Sequence, residues 1–188
     1  MTIQNALSAF YDANDFGDDG GEKSAVAWIK FGPISLPIPN PESRKEVLLL
    51  HDVHHLITQN GTDWKGESAV SAWEIATGGW GSRIYIWLII FGGLIVGIFR
   101  FPTNTLNAFV AGLRSRSLIG LKIQKKDLLK LSIEEVQSKT GLLKVSDKPA
   151  TFAEKMSYLK WCLIAVTSWL IIFGTMVLFG YFLIKKLG

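Results

Sequence analysis

The chain has 188 residues, 48% of them hydrophobic, and a mean hydropathy of +0.26, which is high for a freely soluble protein. Its single cysteine, Cys162, excludes an internal disulfide framework and a thiolate metal site. The net charge of +4 hides an asymmetry: residues 1–83 hold 6 Lys/Arg against 11 Asp/Glu, and residues 100–160 hold 12 against 5. A basic block beside apolar segments favours a cytoplasmic membrane surface over nucleic acid.

The N-terminal segment, residues 1–30, is acidic and glycine-rich between Asp12 and Glu22. Its first basic residue is Lys23, so the segment lacks the charge pattern of a signal peptide. We expect a flexible segment here. Residues 25–40 contain three prolines and predict extended chain that leads into a helix.

Two helices are predicted next, joined by a short linker. Asn40-Pro41-Glu42 is a helix start, and the first helix should end at about Thr58, with Asn60-Gly61 suited to a left-handed cap. Asp63 can cap a second helix that runs to about Thr77. Because the linker is only a few residues long, the two helices should form an antiparallel hairpin.

The segment 84–99 is uncharged and lies between Arg83 and Arg100. As a helix it would be about 24 Å long, short of the roughly 30 Å hydrocarbon core, so it could be a tight membrane span, an interfacial helix or a buried core helix. Because that length is marginal for a span, we favour a place inside one domain.

The C-terminal third contains two capping-box patterns. Ser132 with Glu135 begins a short helix, and Thr151 with Glu154 begins the last one. Residues 161–184 carry no charge and would form a helix of about 36 Å, long enough for a transmembrane anchor. The sequence therefore predicts an all-α protein with a helical metal-binding domain at 31–148, and an amphipathic helix and anchor at 149–188.

All three histidines of the chain fall between residues 51 and 55. On a helix, His51 and His55 lie one turn apart and Asp52 can join them, while Glu67 arrives from the partner helix. Histidine and carboxylate are ligands shared by zinc, iron and manganese, so these four residues predict a divalent metal site, with zinc the expected metal. His54 points off this site and would either support a neighbouring ligand or lie at the surface.

Three further residues are candidates for a role around the metal. Glu74 lies seven residues after Glu67 and shares its helix face, where it could act as a catalytic proton carrier or support a ligand. Arg114 and Arg116 could bind an anionic group of a substrate; otherwise they are solvated or contact lipid phosphates.

Other histidine chemistries fit less well. Membrane desaturases need several further histidine boxes, and HD phosphohydrolases need a histidine upstream of His51, which is the first in the chain. A zincin protease has a glutamate at the position of Asp52. A membrane metalloprotease is kept as a weak alternative.

The spacing His51-Asp52-x-x-His55, eleven residues, then Glu67 resembles the motif of the coenzyme Q biosynthesis protein four family. The flanks are also similar to that family: Phe31-Gly32-Pro33, the run 44–47, Gly66-Glu67, Trp73-Glu74 and Gly78, and the stretch 108–142. The resemblance covers roughly residues 31–143. It implies that His51, Asp52, His55 and Glu67 are the metal ligands.

The resemblance further implies a protein of ubiquinone biosynthesis that binds a prenylated ring precursor and acts in its oxidative decarboxylation or hydroxylation. The expected partners are membrane lipid, that precursor and other quinone-biosynthesis proteins, with a homo-oligomer as an option and no nucleic acid. The expected location is the inner or cytoplasmic membrane, with the metal domain on the cytoplasmic side. The alternative is a non-catalytic lipid-binding scaffold with a structural metal.

Overall fold

A computed structural model describes residues 1–31, 34–145 and 148–187 of the chain. The predicted all-α class is confirmed. The helices are α1 (Ile3–Asn14), α2 (Glu42–Thr58), α3 (Trp64–Ala76), α4 (Ile84–Arg100), α5 (Pro102–Leu113), α6 (Leu118–Leu121), α7 (Lys125–Leu128), α8 (Ile133–Thr140) and α9 (Phe152–Leu187), with a 3₁₀ turn at Leu142–Lys144. Two strands, β1 (Val26–Phe31) and β2 (Ile34–Pro39), lie between α1 and α2.

The N-terminal segment differs from the flexible stretch expected there, because residues 3–14 form the helix α1. Thr2 caps this helix, and Ile3, Leu7 and Tyr11 are buried on one face. The N–H of Ile3 also donates to the carbonyl of Leu131 at 2.8 Å, which ties the start of α1 to the segment before α8. Apolar residues at helical spacing therefore outweigh the acidic composition of this segment.

The extended chain predicted for residues 25–40 is an antiparallel hairpin. Its register runs from Val26 opposite Pro39 to Phe31 opposite Ile34. Gly32 and Pro33, which contributed to the family resemblance, lie outside the described residues. The hydroxyl of Tyr85 donates to the carbonyl of Pro39 at 2.8 Å and so connects this hairpin to the start of α4.

The helices α2 and α3 form the predicted antiparallel pair, with small differences at their ends. Pro41 is the N-cap residue of α2, and the Asn40 side chain instead donates to the carbonyls of Gly21 and Ser24. Gln59, with φ of 57°, takes the left-handed position that was expected at Asn60-Gly61. The predicted cap of α3 is confirmed, because the Asp63 carboxylate accepts from the N–H of Gly66 at 2.8 Å.

The apolar helix α4 is part of the domain core and packs against α3, α5 and α9. Ile86, Ile90 and Leu94 are buried on this helix. At Gly97 a methyl group would overlap the side chains of Thr105 and Ser68, so the close approach of α3 and α5 to α4 requires glycine there.

The last helix, α9, begins at the predicted capping box, where the N–H of Thr151 donates to the Glu154 carboxylate at 2.8 Å. Its first half packs on the core; the Trp161 ring, for example, stacks on Trp87 at 5.5 Å. Residues 173–179 are all exposed. Within the described residues, α9 is the one helix that is long and apolar enough to cross a membrane.

Candidate metal centre

Three side chains converge at the turn between α2 and α3. The Nε2 atoms of His51 and His55 lie 3.2 Å apart, and the Glu67 carboxylate oxygens lie 3.6 Å from Nε2 of His51 and 3.5 Å from Nε2 of His55. Two ligands of one tetrahedral zinc ion are separated by roughly 3.3–3.6 Å, given bond lengths of about 2.0–2.2 Å. The three residues therefore have the spacing of a shared metal site, and they can hold an ion.

The other ring nitrogen of each histidine has an acceptor. Nδ1 of His51 lies 2.8 Å from Oε1 of Glu74, and Nδ1 of His55 lies 3.0 Å from the carbonyl oxygen of Gly61 and 3.2 Å from that of Asn60. These partners assign the hydrogen of each neutral ring to Nδ1. The two Nε2 lone pairs then face each other and repel unless a cation or a proton lies between them.

The local fold explains why these groups meet. His51 and His55 are one helical turn apart on α2, so both rings lie on the face toward α3. The chain leaves the helical path at Gln59, so the carbonyls of Asn60 and Gly61 remain free to accept from His55. Glu67 lies in the first turn of α3, directly after the Asp63 cap.

The centre is partly open to its surroundings. The side chains of His51 and Glu67 are 23% and 35% exposed, whereas that of His55 is 1% exposed. A metal site with three protein ligands and one accessible side is the arrangement of catalytic zinc sites, in which the remaining position takes water or substrate.

Asp52, the fourth predicted ligand, is not one of the three converging residues. Its carboxylate accepts a hydrogen bond from the Tyr11 hydroxyl at 2.9 Å and is buried. Burial raises the pKa of Asp52, while His51, Tyr11 and His55 oppose that rise. The structure thus places Asp52 beside the centre and in contact with α1.

Glu74 is fully buried behind His51. One of its oxygens accepts from Nδ1 of His51 at 2.8 Å and from Nδ1 of His54 at 2.7 Å, and the other accepts from the Trp80 indole at 3.0 Å. Burial by itself favours the neutral acid, but His51 and His54 outweigh burial and lower the pKa of Glu74. Glu74 is therefore a carboxylate that supports His51 from the side away from Glu67.

The charges at the centre reinforce one another. Burial opposes ionisation of Glu67, yet the proximity of His51 and His55 lowers its pKa to about 2. Burial likewise opposes protonation of His51, but Glu74 and Glu67 raise its pKa well above 6.5. Two carboxylates beside one imidazole thus favour positive charge at this point, whether it comes from a proton or from a metal ion.

The two arginines predicted as substrate contacts have other described interactions. The Arg114 guanidinium pairs with both oxygens of Glu154, at 2.7 and 2.8 Å, and donates to the carbonyl of Lys148. The side chain of Arg116 is exposed, and its backbone N–H donates to the carbonyl of Thr140. Arg114 thus joins the end of α5 to the start of α9.

Sequence reasoning missed two side chains around the centre, Tyr11 and Trp80. Tyr11 contacts Asp52 from a segment that was expected to be flexible, although Ile3, Leu7 and Tyr11 follow helical spacing. Trp80 donates to Glu74, and so does His54, for which a supporting or a surface position was expected. The glycine turn that brings Trp80 back onto α3 carries no signal in the sequence for that contact.

No protein-family model, curated protein or solved structure matches this chain. The resemblance to the coenzyme Q biosynthesis protein four family is therefore a prediction that depends on the motif residues themselves.

Proposed function

We propose that this protein is a membrane-bound metalloprotein of ubiquinone biosynthesis that binds a prenylated ring precursor and acts in its oxidative decarboxylation or hydroxylation. The observation that carries the proposal is the pair of Nε2 atoms 3.2 Å apart, faced by Glu67 on a partly open side. The assignment to ubiquinone biosynthesis comes from the resemblance of the motif to the coenzyme Q biosynthesis protein four family.

His51, His55 and Glu67 would hold the ion, and zinc, iron and manganese all accept two imidazoles and a carboxylate. A bound ion would polarise the ring carboxylate or activate water or oxygen. Within the chain, Glu74 keeps His51 in the ligand tautomer, and the partly exposed sides of His51 and Glu67 leave room for the ring.

A cavity of about 160 Å³ lies against Trp80, and in this proposal it would take an apolar part of the substrate. Apolar side chains form most of its wall: Val47, Leu50, Trp80, Leu118, Ile119, Ile123 and Leu128. Trp80 also donates to Glu74, so this side chain contacts both the cavity and the residue that supports His51. The charged residues Glu46, Arg83 and Lys122 complete the lining.

The helix α9 also supports a prenylated substrate, since such a precursor is dissolved in the bilayer and its enzyme must act there. We place the metal domain on the cytoplasmic side, because the basic residues of segment 100–160 would lie against anionic lipid. Other quinone-biosynthesis proteins, or a second copy of the chain, would be the protein partners.

The test is quinone profiling of a strain that lacks the protein. We expect a carboxylated ring precursor to accumulate, and expect Glu134→Ala, which changes an exposed residue of α8, to restore the normal quinone pool. Glu67→Ala should leave the precursor elevated, although the protein is present at normal levels in the membrane. An unchanged quinone pool in the deletion strain would contradict the pathway assignment.

A scaffold with a structural metal is a second candidate, favoured by one observation: the histidines lie on α2 and the glutamate on α3, so an ion would tie the two helices together. For a scaffold, Glu67→Ala should lower thermal stability and partner binding together. For an enzyme, the same variant should stay folded and lose turnover.

A further inference from the structure

Glu74 lies at the centre of a hydrogen-bond network, and its own side chain is closed to solvent. Its side chain is 1% exposed, as is that of His54. Oε1 accepts from the Nδ1–H groups of both His51 and His54, and Oε2 accepts from the indole N–H of Trp80. All three donor–acceptor distances lie between 2.7 and 3.0 Å.

This arrangement fixes the carboxylate group in place. A carboxylate oxygen has two lone pairs, and both lone pairs of Oε1 are taken by the two histidines. Trp80 holds the other oxygen, so the carboxylate plane cannot turn without losing one of these bonds. His51 therefore donates to an acceptor that is itself held from the side away from the metal ligands.

We infer that His54 and Trp80 are positioning residues of the metal centre, which act through Glu74 to hold His51 with its Nε2 lone pair directed at the ion. The inference rests on the proposed metal centre. Carboxylates that accept from the outer nitrogen of a metal-bound histidine set its tautomer and orientation, and their loss commonly weakens metal binding by about 10–100-fold.

The burial of Glu74 also limits the role that its carboxylate can have. Enclosed on all sides, Glu74 reaches the centre only through His51, so its role is to orient that ring rather than to carry protons to a substrate. The ring of His54 packs between Trp73, at 4.8 Å, and Trp80, at 5.6 Å. Its Nε2 has no hydrogen-bond partner among the described residues, so His54 contributes through Nδ1.

The chain offers a matched pair of substitutions to test this. Trp73 and Trp80 are both 1% exposed and both pack against His54, but the Trp73 indole donates to Ser115 and not to Glu74. Trp80→Phe removes a donor to Glu74, whereas Trp73→Phe removes an equally buried indole without touching the carboxylate.

The experiment measures Co²⁺ binding to the full-length protein in detergent, by competition with a chromophoric chelator and by the visible absorption of the bound ion. We expect Trp80→Phe to weaken binding by roughly tenfold and to shift the Co²⁺ absorption band, and Glu74→Gln to weaken it by about 10–100-fold. Trp73→Phe should leave both readings within about twofold of the wild type, even where it lowers the melting temperature.

A second pair of variants covers the case in which Trp80→Phe is too unstable to purify. His54→Asn keeps an N–H donor near the position of Nδ1 and should retain the wild-type spectrum, whereas His54→Leu should shift it. If both variants of either pair change Co²⁺ binding and the spectrum equally, or neither does, the positioning role is overturned. The proposal of a metal centre would still stand. A wild-type chain that binds no Co²⁺ would overturn both.

Discussion

At the scale of single residues, the candidate metal centre is defined by where each nitrogen finds a partner. Nδ1 of His51 and Nδ1 of His55 both have acceptors in the protein, so the two Nε2 atoms are left facing each other and Glu67. This arrangement makes the cluster more than a group of nearby polar residues, because both Nε2 atoms and the Glu67 carboxylate point to one place.

Substitutions of Asp52 and Glu67 should weaken metal binding to different extents, although both residues belong to the motif. Since the Asp52 carboxylate accepts from Tyr11, Asp52→Asn should weaken metal binding much less than Glu67→Gln, which removes a converging oxygen. Loss of a residue that supports a ligand typically weakens metal binding by roughly 10–100-fold. We expect Glu67→Gln to weaken it by more than this and Asp52→Asn by less. Titration with Zn²⁺ in the presence of a competing chelator measures both. Equal losses would mean that Asp52 rotates away from Tyr11 to bind the ion.

The sequence could predict His51, His55 and Glu67, because one helical turn and one short linker determine their relation. It could not predict the partner of Asp52, since Tyr11 lies 41 residues away and meets it only through the packing of α1 on α2. The contact of Trp80 with Glu74 likewise depends on how the chain turns after α3. Spacing within a helix can be predicted from a sequence, whereas contacts that depend on the packing of a distant segment cannot.

At the scale of elements, the close packing of α3 with α4 and α5 holds one arm of the α2–α3 hairpin, which carries the candidate metal centre. Ser71 and Ser68 of α3 lie against Gly93 and Gly97 of α4, so α3 approaches the backbone of α4 directly. Small residues at such a contact let two helices come close, as in many membrane proteins. The position of Glu67 therefore depends on a helix that carries no ligand.

We predict that Gly97→Ala lowers stability by about 1–3 kcal/mol, because the added methyl would overlap Thr105 and lie 2.8 Å from the Cβ of Ser68. Gly174→Ala is the matched control in α9, where an added methyl meets no atom of the described residues within 4 Å. Urea unfolding in detergent, followed by circular dichroism, compares the two. Similar unfolding midpoints for both variants would contradict the packing described for α4.

Arg114 should matter for the docking of α9 rather than for substrate. Arg114→Gln removes the two-pronged pair with Glu154, so we expect a melting temperature roughly 2–4 °C lower than that of the wild type. Arg116→Gln, which changes an exposed neighbour, should melt within about 1 °C of the wild type, in line with most surface substitutions. Differential scanning fluorimetry measures both. If Arg114→Gln lost activity with an unchanged melting temperature, the result would support the substrate-binding role that the sequence predicts for Arg114.

At the scale of the whole molecule, the helix α9 connects the domain that carries the candidate metal centre to a long apolar end. The sequence predicts this division well, because a charge-free run of residues 161–184 is visible without any structure. The sequence does not show that the first half of this run also packs on α4 and α5, so that Trp161, Ala165 and Trp169 belong to the core. One helix thus stabilises the domain and extends beyond it.

The exposed end of α9 should hold the protein in the membrane. We expect the wild-type chain to resist extraction with alkaline carbonate, and the double variant Phe173→Lys with Val177→Lys to be extracted, because each lysine near the centre of a span costs about 2.5–3.5 kcal/mol. Leu143→Lys, an equally exposed apolar position outside α9, is the control and should stay in the membrane. Extraction of the wild type would contradict a membrane role for this helix.

The most direct test of a metal centre at His51, His55 and Glu67 is the metal content of the full-length protein, purified in detergent and analysed by mass spectrometry of the bound elements. We expect about one divalent transition-metal ion per chain in the wild type and in Glu134→Ala, and a loss of that ion in His51→Ala, His55→Ala and Glu67→Ala, each with unchanged helical content. Metal that is absent from the wild type, or retained when these three side chains are removed, would contradict the central claim.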